Sequence, residues 1–416
     1  MNESSEAAAL FEAGNPGQLI DRDKLIDRLD DGSVVIARGG TALTKLHRLT
    51  RDEIFRQIAD LAGAEMRNKL EEVGLEHIHE HLSVDLIQDV HSRATENLRA
   101  TYMRATEELI REFSGHSSFY VNHNFVLRFY LPNDLMQQHY TTLKQRPGKL
   151  IQHGPHLDLW QNVALNAYNI WIAIEDVDEG NGMVVYPDAF GKPVPRGGEH
   201  VREDQVTGRP LRLPCKAGDM LLFHSQHLHG GVLNRTDMTR VAITTRFTIS
   251  PPLHPRLGAQ LHYASAAAIR SEDNRRIKFS YLVDKLRPRN LALRLETRLG
   301  TGRPGEEGRR LKFLDALLHR NWFAETQDRS RASGQFGSDQ IRIVDDKTIA
   351  VQVDDRQAVH IQRRCPHMGA DLSCGYIDDG HIWCPWHDQG FSLETGEPVG
   401  PCSGLKPLRV SSAETA

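Results

Sequence analysis

This sequence has no long apolar run, few cysteines and no large excess of charge of one sign. No stretch of about 18 apolar residues occurs, so no membrane span is predicted. The first 14 residues are acidic and lack a basic segment followed by an apolar one, which argues against a signal peptide and favours a cytoplasmic protein. The net charge is −4 and the Lys and Arg residues are scattered, so neither nucleic acid nor an anionic membrane is expected as a partner.

The few cysteines are unevenly distributed. Cys215 stands alone, whereas Cys365, Cys374, Cys384 and Cys402 lie within 38 residues of one another. A metal site in a reducing compartment explains this clustering better than a disulfide framework does. With 39% hydrophobic and 25% charged residues, the 416-residue chain otherwise has the composition of a globular protein of two or three domains.

Hydrophobic periodicity divides the chain into four parts. Apolar residues at three- and four-residue spacing predict that residues 1–116 form a helical part. Short runs of β-branched and aromatic residues alternate with turn residues over 117–250, which predicts a sandwich or jelly roll. Residues 251–335 are predicted to be a helical extension and linker, and residues 336–416 alternate strands with Asp-rich turns. The predicted fold is therefore mainly β with flanking helices.

Two short motifs near the C-terminus each combine one cysteine with one histidine. Cys365 and His367 form the first, and Cys384 and His387 form the second. Two cysteines and two histidines also suit a tetrahedral zinc ion, which stays an alternative. Zinc fingers, however, place the two cysteines together and the two histidines together. A dinuclear iron cluster needs one of each from both segments, if each segment is to give a thiolate to one iron and an imidazole to the other.

This C-terminal segment resembles the Rieske family over roughly residues 337–412. The resemblance implies a small all-β domain in which Cys365 and Cys384 hold one iron of a [2Fe–2S] cluster, and His367 and His387 hold the other. High-potential respiratory Rieske proteins carry an extra cysteine in each segment, and Ala370 stands at the first of these places. The resemblance is therefore to the ferredoxin or oxygenase subtype. The positions around the motifs that also match are Gly369, Leu372, Gly375, Gly390, Phe391 and Gly396.

A second candidate metal site lies in the middle of the chain. His156 and Asp158 are separated by one residue, so an extended segment would place both side chains on one face. Together with His229 they make the two-histidine, one-carboxylate set of non-haem Fe(II) oxygenases, which leaves positions open for a co-substrate and O₂. Arg240 follows His229 by 11 residues, and its guanidinium can pair with a carboxylate of 2-oxoglutarate.

The central segment resembles the phytanoyl-CoA dioxygenase family of 2-oxoglutarate enzymes over roughly residues 117–250. The shared features are the His-x-Asp pair, a Gly-Asp-Met turn at 218–220 that enters a strand, and the pattern from His229 to Arg240. The resemblance implies a double-stranded β-helix, or jelly roll, with helices packed outside. It also implies that His156, Asp158 and His229 bind Fe(II) and that Arg240 binds 2-oxoglutarate.

The other polar residues near these motifs are expected to have structural roles. His153 lacks the partner aspartate of His156, and His224 and His227 lack the glycine and arginine that follow His229. Four residues on predicted strands are expected to line the pocket without acting in catalysis, namely Arg128, Tyr130, Trp171 and Arg246. The aspartate at 158 favours hydroxylation over halogenation, because halogenases of this type replace it with a small residue.

The two resemblances together predict an Fe(II)/2-oxoglutarate-dependent dioxygenase that hydroxylates, or otherwise oxidises, a small organic molecule. The Rieske cluster would supply electrons to the mononuclear iron. An electron-donating reductase or ferredoxin and a homo-oligomer fit this scheme, although no motif indicates either. Two alternatives stay open: a two-component Rieske oxygenase independent of 2-oxoglutarate, and a Rieske electron carrier with a non-catalytic docking domain. The order of the domains argues against the first alternative, and the intact His, Asp, His and Arg set argues against the second.

Overall fold

The protein is described by a computed structural model in which the chain divides into two compact units. One unit comprises residues 1–158 and 167–249, and the other comprises residues 159–166 and 250–416. The residues whose structure is described are 8–139, 150, 154–158, 163–190, 206, 208–252, 263–271, 340–345, 347–354, 357–366, 372–384, 390–399 and 406–412.

The helices of the first unit lie mostly before the β-rich part. They are α1 Leu25–Asp30, α2 Thr41–Ala62, α3 Ala64–Val73, α4 Ile78–His81, α5 Val84–Ser114 and α6 Asn133–Gln138. The long helices α2 and α5 pack against each other through the buried apolar stripes that the three- and four-residue spacing predicted. Helix α5 begins after Ser83, whose side chain accepts a hydrogen bond from the Leu86 N–H, and it ends at Gly115 with a φ of 70°.

The strands of the first unit form a larger and a smaller antiparallel sheet. In the larger sheet the order is β4, β11, β6, β9, β3, β1 and β2, and β5 also pairs with β11; the smaller sheet has the order β10, β7 and β8. Their bounds are β1 Ala9–Glu12, β2 Asn15–Leu19, β3 Val35–Arg38, β4 Tyr120–Asn122, β5 Val126–Tyr130, β6 Tyr168–Ala173, β7 Met183–Tyr186, β8 Leu211–Leu213, β9 Met220–His224, β10 Leu228–Gly231 and β11 Arg240–Thr248.

The two sheets share one apolar core. Trp171, Phe223 and Ala242 from the larger sheet cluster with Val185 and Leu213 from the smaller one. Strands β6, β9 and β11 are buried along their whole length, because α5 and its neighbours cover the outer face of the larger sheet. The predicted jelly roll with outer helices is confirmed. The three strands before α2, however, were not predicted from the sequence.

The second unit contains two four-stranded antiparallel sheets, with the orders β13-β14-β15-β20 and β16-β17-β18-β19. Asp379 and Gly380 turn the β16–β17 hairpin with φ values of 45° and 70°, as a tight turn of the primed type requires. The bounds are β12 Tyr263–Ser265, α7 Ala266–Arg270, β13 Ile341–Ile343, β14 Thr348–Gln352, β15 Ala358–Gln362, β16 Tyr376–Asp378, β17 His381–Trp383, β18 Gly390–Ser392, β19 Pro398–Val399 and β20 Val410–Ser412.

Most of the predicted helical extension, 251–335, lies outside the described residues. Among the helices that are described, none is long and apolar enough to cross a membrane.

Candidate functional site

Three of the predicted metal ligands come together in the first unit. One ligand atom from each of His156, Asp158 and His229 lies within 4.8 Å of the other two. Asp158 Oδ1 is 3.9 Å from His156 Nε2 and also 3.9 Å from His229 Nε2. All three side chains are buried. In the described part of the chain, no other three His, Cys, Asp or Glu side chains converge in this way.

Two backbone segments hold the histidines side by side. His156 N donates to His229 O at 2.8 Å, and His229 N donates to His156 O at 3.1 Å, which makes an antiparallel bridge. Gly230 permits this close approach, since a Cβ at that position would lie 2.8 Å from Gly154 C and 2.8 Å from Pro155 N. A larger residue at 230 would push the two histidine segments apart.

Backbone carbonyls orient both imidazole rings. His156 Nδ1 is 2.8 Å from Gly154 O, and His229 Nδ1 is 2.9 Å from His227 O. An imidazole that donates from Nδ1 keeps the lone pair on Nε2 for a metal ion. Burial lowers the pKa of His229, and the opposing charge of Asp158 offsets this only in part. The His229 ring is therefore neutral, as a metal ligand must be.

Two polar side chains on neighbouring strands hold the carboxylate of Asp158. Arg246 on β11 donates from Nη2 to Oδ1 at 2.7 Å and from Nε to Oδ2 at 3.0 Å, while Asn169 on β6 donates from Nδ2 to Oδ2 at 2.7 Å. Arg246 and Asn169 are direct cross-strand neighbours, so both reach the same carboxylate. Burial raises the pKa of Asp158, but the charge and hydrogen bonds of Arg246 outweigh it and hold the pKa well below its usual value. The ligand is thus ionised before a metal ion binds.

Arg240 carries a buried positive charge that no described carboxylate neutralises. Its Nη1 donates to Asn181 O at 3.0 Å and to Gly182 O at 2.8 Å, and its guanidinium lies 4.0 Å from the centroid of the Tyr130 ring. Its Nε is buried without a hydrogen-bond partner. Burial lowers the pKa of Arg240 to about 10, so the group is still charged at neutral pH. An unpaired buried guanidinium is unfavourable and suits a ligand carboxylate.

The residues present fit the cofactors that the sequence implied for this site. Two imidazoles and one carboxylate are the donor set that non-haem Fe(II) uses with open positions. The Arg240 guanidinium lies close to the strand of His229, because a Cβ on Gly231 would be 3.4 Å from both its Nη atoms. A dicarboxylate such as 2-oxoglutarate has one carboxylate for this arginine and a keto acid group for the metal ion.

The neighbouring histidines stay outside the ligand set. His224 lies edge-on to the rings of Tyr168 and Phe190, with centroids 5.4 and 5.7 Å away. His227 packs 4.5 Å from the Phe190 ring. Burial lowers the pKa of each to about 3, so both are neutral core residues. His153 lies outside the described residues.

The burial of His224 predicts a fold that acid destabilises. Its pKa is about 3 in the folded protein against 6.5 in the unfolded chain, so the unfolded chain takes up the proton first. Stability is therefore complete above pH 6.5 and falls as the pH drops towards 3. His224→Asn keeps an acceptor for the Gln226 N–H. We expect it to reduce the slope of unfolding free energy against pH by about 1.4 kcal/mol per unit below pH 6.

Urea unfolding monitored by circular dichroism at several pH values measures this slope. Thr41→Asn, at the exposed first residue of α2, is the control; it changes no ionisable group and should keep the slope of the unaltered protein. Equal slopes for His224→Asn and the unaltered protein would contradict the prediction.

The predicted cluster site lies only partly within the described residues. Cys365 follows β15 and Cys384 follows β17, and both are buried in the core of the second unit. His367 and His387 lie outside the described residues. Gly375 packs closely against the strand that precedes Cys384, since a Cβ there would be 2.5 Å from Trp383 O. Two buried thiols in a small all-β unit fit the [2Fe–2S] cluster that the sequence implied.

A jelly roll with two histidines and one carboxylate in its interior is the arrangement of a non-haem iron protein. The family model described as phytanoyl-CoA dioxygenase (PhyH) matches residues 32–242, which is just over half of the chain, and the chain therefore belongs to this family. A second model, described as Rieske [2Fe-2S] domain, matches residues 321–407. The two matches confirm the predicted families, their order along the chain, and iron, 2-oxoglutarate and [2Fe–2S] as cofactors.

Solved structures with similarity to the chain include two enzymes, SnoN and SnoK, whose descriptions name α-ketoglutarate, another name for 2-oxoglutarate. The epimerase SnoN, solved with Fe³⁺, α-ketoglutarate and nogalamycin RO, is 17% identical over 38% of this chain and 59% of its own, with a TM-score of 0.27. AviO1 from Streptomyces viridochromogenes Tue57 is 14% identical over 56% of this chain and 98% of its own, with a TM-score of 0.32. The chain thus spans less than two thirds of SnoN. A comparison with curated proteins gave no match.

Proposed function

We propose that this protein is an Fe(II)/2-oxoglutarate-dependent oxygenase that hydroxylates, or otherwise oxidises, a small organic molecule with O₂. The observation that carries the proposal is the pairing of a buried His156–Asp158–His229 set with the unpaired guanidinium of Arg240. A structural metal site would use the three ligands and would not need a buried arginine that lacks a carboxylate partner. A site for a metal ion and a dicarboxylate uses both features.

Some residues of the pocket bind the cofactors, and others shield the site from water. When bound, iron and 2-oxoglutarate supply the electrons and the oxidising chemistry with O₂. Arg240 orients the co-substrate by binding its far carboxylate, while Arg246 and Asn169 fix the plane of the Asp158 carboxylate. Phe223 keeps water away from the ligands, because its ring is 4.8 Å from the ring of His229. These contacts leave the substrate to approach the open side of the metal ion.

The second part of the proposal concerns the Rieske cluster. We propose that residues 1–250 are the oxygenase part, 251–335 a helical extension and linker, and 336–416 the Rieske part. A normal turnover takes its electrons from 2-oxoglutarate, so the cluster is not needed for each cycle. We infer that it keeps the mononuclear iron ferrous when a turnover fails to oxidise substrate, with an external reductase or ferredoxin as its electron source. The matches to both family models in one chain support this inference.

Anaerobically purified protein provides the test of the oxygenase activity. Three Fe per chain are expected, together with O₂ uptake and succinate formation that depend on added 2-oxoglutarate. A protein that holds zinc in place of iron, or one that consumes O₂ with a reductase but without 2-oxoglutarate, contradicts the proposal. The second result would indicate a two-component Rieske oxygenase.

Loss of the cluster provides the test of the electron supply. Cys384→Ser should keep the initial rate of succinate formation but inactivate after fewer turnovers, and added ascorbate should restore the lost turnovers. Cys215→Ser is the matched control, because Cys215 is also buried but lies in the core of the first unit. The electron-supply proposal is wrong if a folded Cys384→Ser protein sustains full turnover without a reductant.

A further inference from the structure

Arg128 on β5 is a second arginine of the first unit whose charge has no carboxylate partner. No described Asp or Glu forms an ion pair with it, and its Nη1 is shielded from solvent without a hydrogen-bond partner. Its guanidinium lies 5.8 Å from the centroid of the Tyr130 ring, which places it beside the ring that Arg240 also covers. The side chain as a whole is only partly buried. A ligand that enters from solvent can therefore reach it.

The strand register shows that Arg128 faces the metal site. Arg128 pairs with Ala242 on β11, and Ala242 lies between Arg240 and Arg246 with the same side-chain direction. The charge of Arg128 also contributes to lowering the pKa values of both Arg240 and His229, so Arg128 lies near both. In the larger sheet β5 pairs with β11 alone, so the other side of β5 is not covered by a described strand of that sheet.

The charges of the site leave Arg128 unmatched even when the cofactors are bound. Asp158 is paired with Arg246. On the proposed function, one carboxylate of 2-oxoglutarate binds Arg240 and the other binds the metal ion. No described anion remains for Arg128. A partly desolvated guanidinium is unfavourable without an anion, and its planar fork matches a carboxylate or a phosphate with two hydrogen bonds.

We propose that Arg128 binds an anionic group of the substrate, so that the molecule oxidised here carries a carboxylate or a phosphate. This inference rests on the proposed function, because 2-oxoglutarate must already occupy Arg240. Arg128 then fixes the distance between the anionic group and the carbon that is oxidised. Substrates with the charged group replaced by a neutral one should bind weakly and be oxidised poorly.

A matched ligand panel tests the proposal on the full-length protein loaded anaerobically with Fe(II) and 2-oxoglutarate. The panel contains small carboxylic acids, phosphate monoesters of the same carbon skeletons, and the corresponding primary amides. Binding is measured from the change in visible absorption of the loaded protein, without turnover. Stimulation of 2-oxoglutarate consumption in air is measured separately. We expect one anionic series to bind roughly 10- to 100-fold more tightly than the amides. Whether acids or phosphates bind better decides between the two anions.

Three variants show whether Arg128 is responsible for the preference. Arg128→Gln should abolish the preference for anions while 2-oxoglutarate binds as before, and Arg128→Lys should retain part of it. Arg212→Gln is the control, since Arg212 is an exposed arginine on β8 of the same unit. Equal binding of anions and amides to the unaltered protein overturns the proposal, as does a preference that survives in Arg128→Gln.

Two further outcomes separate this inference from the proposed function. Weaker 2-oxoglutarate binding in Arg128→Gln, with the anion preference intact, would make Arg128 a residue of the co-substrate site and overturn the inference alone. Failure of the unaltered protein to bind 2-oxoglutarate would overturn the proposed function and this inference with it. That titration is therefore done first.

Discussion

Arg240→Met is expected to weaken 2-oxoglutarate binding by roughly 100- to 1,000-fold, because the co-substrate carboxylate would lose the buried charge that binds it. Arg240 has no described carboxylate to leave behind, so the variant loses hydrogen bonds to Asn181 O, Gly182 O and the Tyr130 side chain. Its stability should therefore stay within about 2 kcal/mol of the unaltered protein. Anaerobic titration of the Fe(II)-loaded protein with 2-oxoglutarate, followed by visible absorption, measures the affinity.

Two comparisons make the Arg240 result specific. Arg240→Lys keeps the charge but loses the planar fork, so its affinity for 2-oxoglutarate should lie between those of the methionine variant and the unaltered protein. Metal binding without 2-oxoglutarate should be unaffected in both variants. An unchanged affinity in Arg240→Met would mean that the co-substrate is held elsewhere.

Arg246→Met is expected to lower the affinity of the site for a divalent metal ion by roughly 10- to 100-fold at neutral pH. Without Arg246 the main influence on Asp158 is burial, which raises its pKa, so a proton must leave before the metal ion binds. The unaltered protein keeps this carboxylate ionised, and its metal affinity should depend less on pH. Calorimetric titration with Mn²⁺ at pH 6 and pH 8 measures both effects.

The neighbouring polar residue supplies a graded comparison for the Arg246 result. Asn169→Ala removes one neutral hydrogen bond from Asp158 and leaves the charge of Arg246 in place, so its effect should be several-fold smaller. Removal of Arg246 also leaves a buried carboxylate without its partner, which should destabilise the metal-free protein by about 3–5 kcal/mol. If Arg246→Met bound Mn²⁺ as tightly as the unaltered protein at both pH values, the role assigned to Arg246 would be wrong.

The metal-binding residues could be predicted because their pattern is local in the sequence. The His-x-Asp spacing at 156–158 gives the direction of two side chains from strand geometry alone. The distal histidine at 229 and the arginine at 240 lie on consecutive strands of the same segment, so their spacing is also informative. Cys365 and Cys384 were predicted as cluster ligands in the same way, from motifs a few residues long. None of these predictions required knowing which distant strands pair.

The two residues that bind the Asp158 carboxylate could not be predicted, because only strand pairing brings them together. Asn169 and Arg246 are 77 residues apart in sequence and become neighbours only through the register of β6 with β11. The sequence did contain a signal: each residue is polar within a strand that is buried along its whole length. Buried polar residues need partners, so such positions indicate a site. Strands β1 to β3 were missed for a related reason, since they are short and are stabilised by pairing with one another and with β9.

Because His156 and His229 are joined by a β-bridge, loss of a bound metal ion would depend on local opening of this bridge. Each segment is the backbone hydrogen-bond partner of the other, so neither segment can move away without breaking the contact that positions its counterpart. The ion would then be released by local opening of these few residues, without unfolding of the whole jelly roll. The lifetime of the metal-loaded protein would then depend on one isolated β-bridge of the first unit.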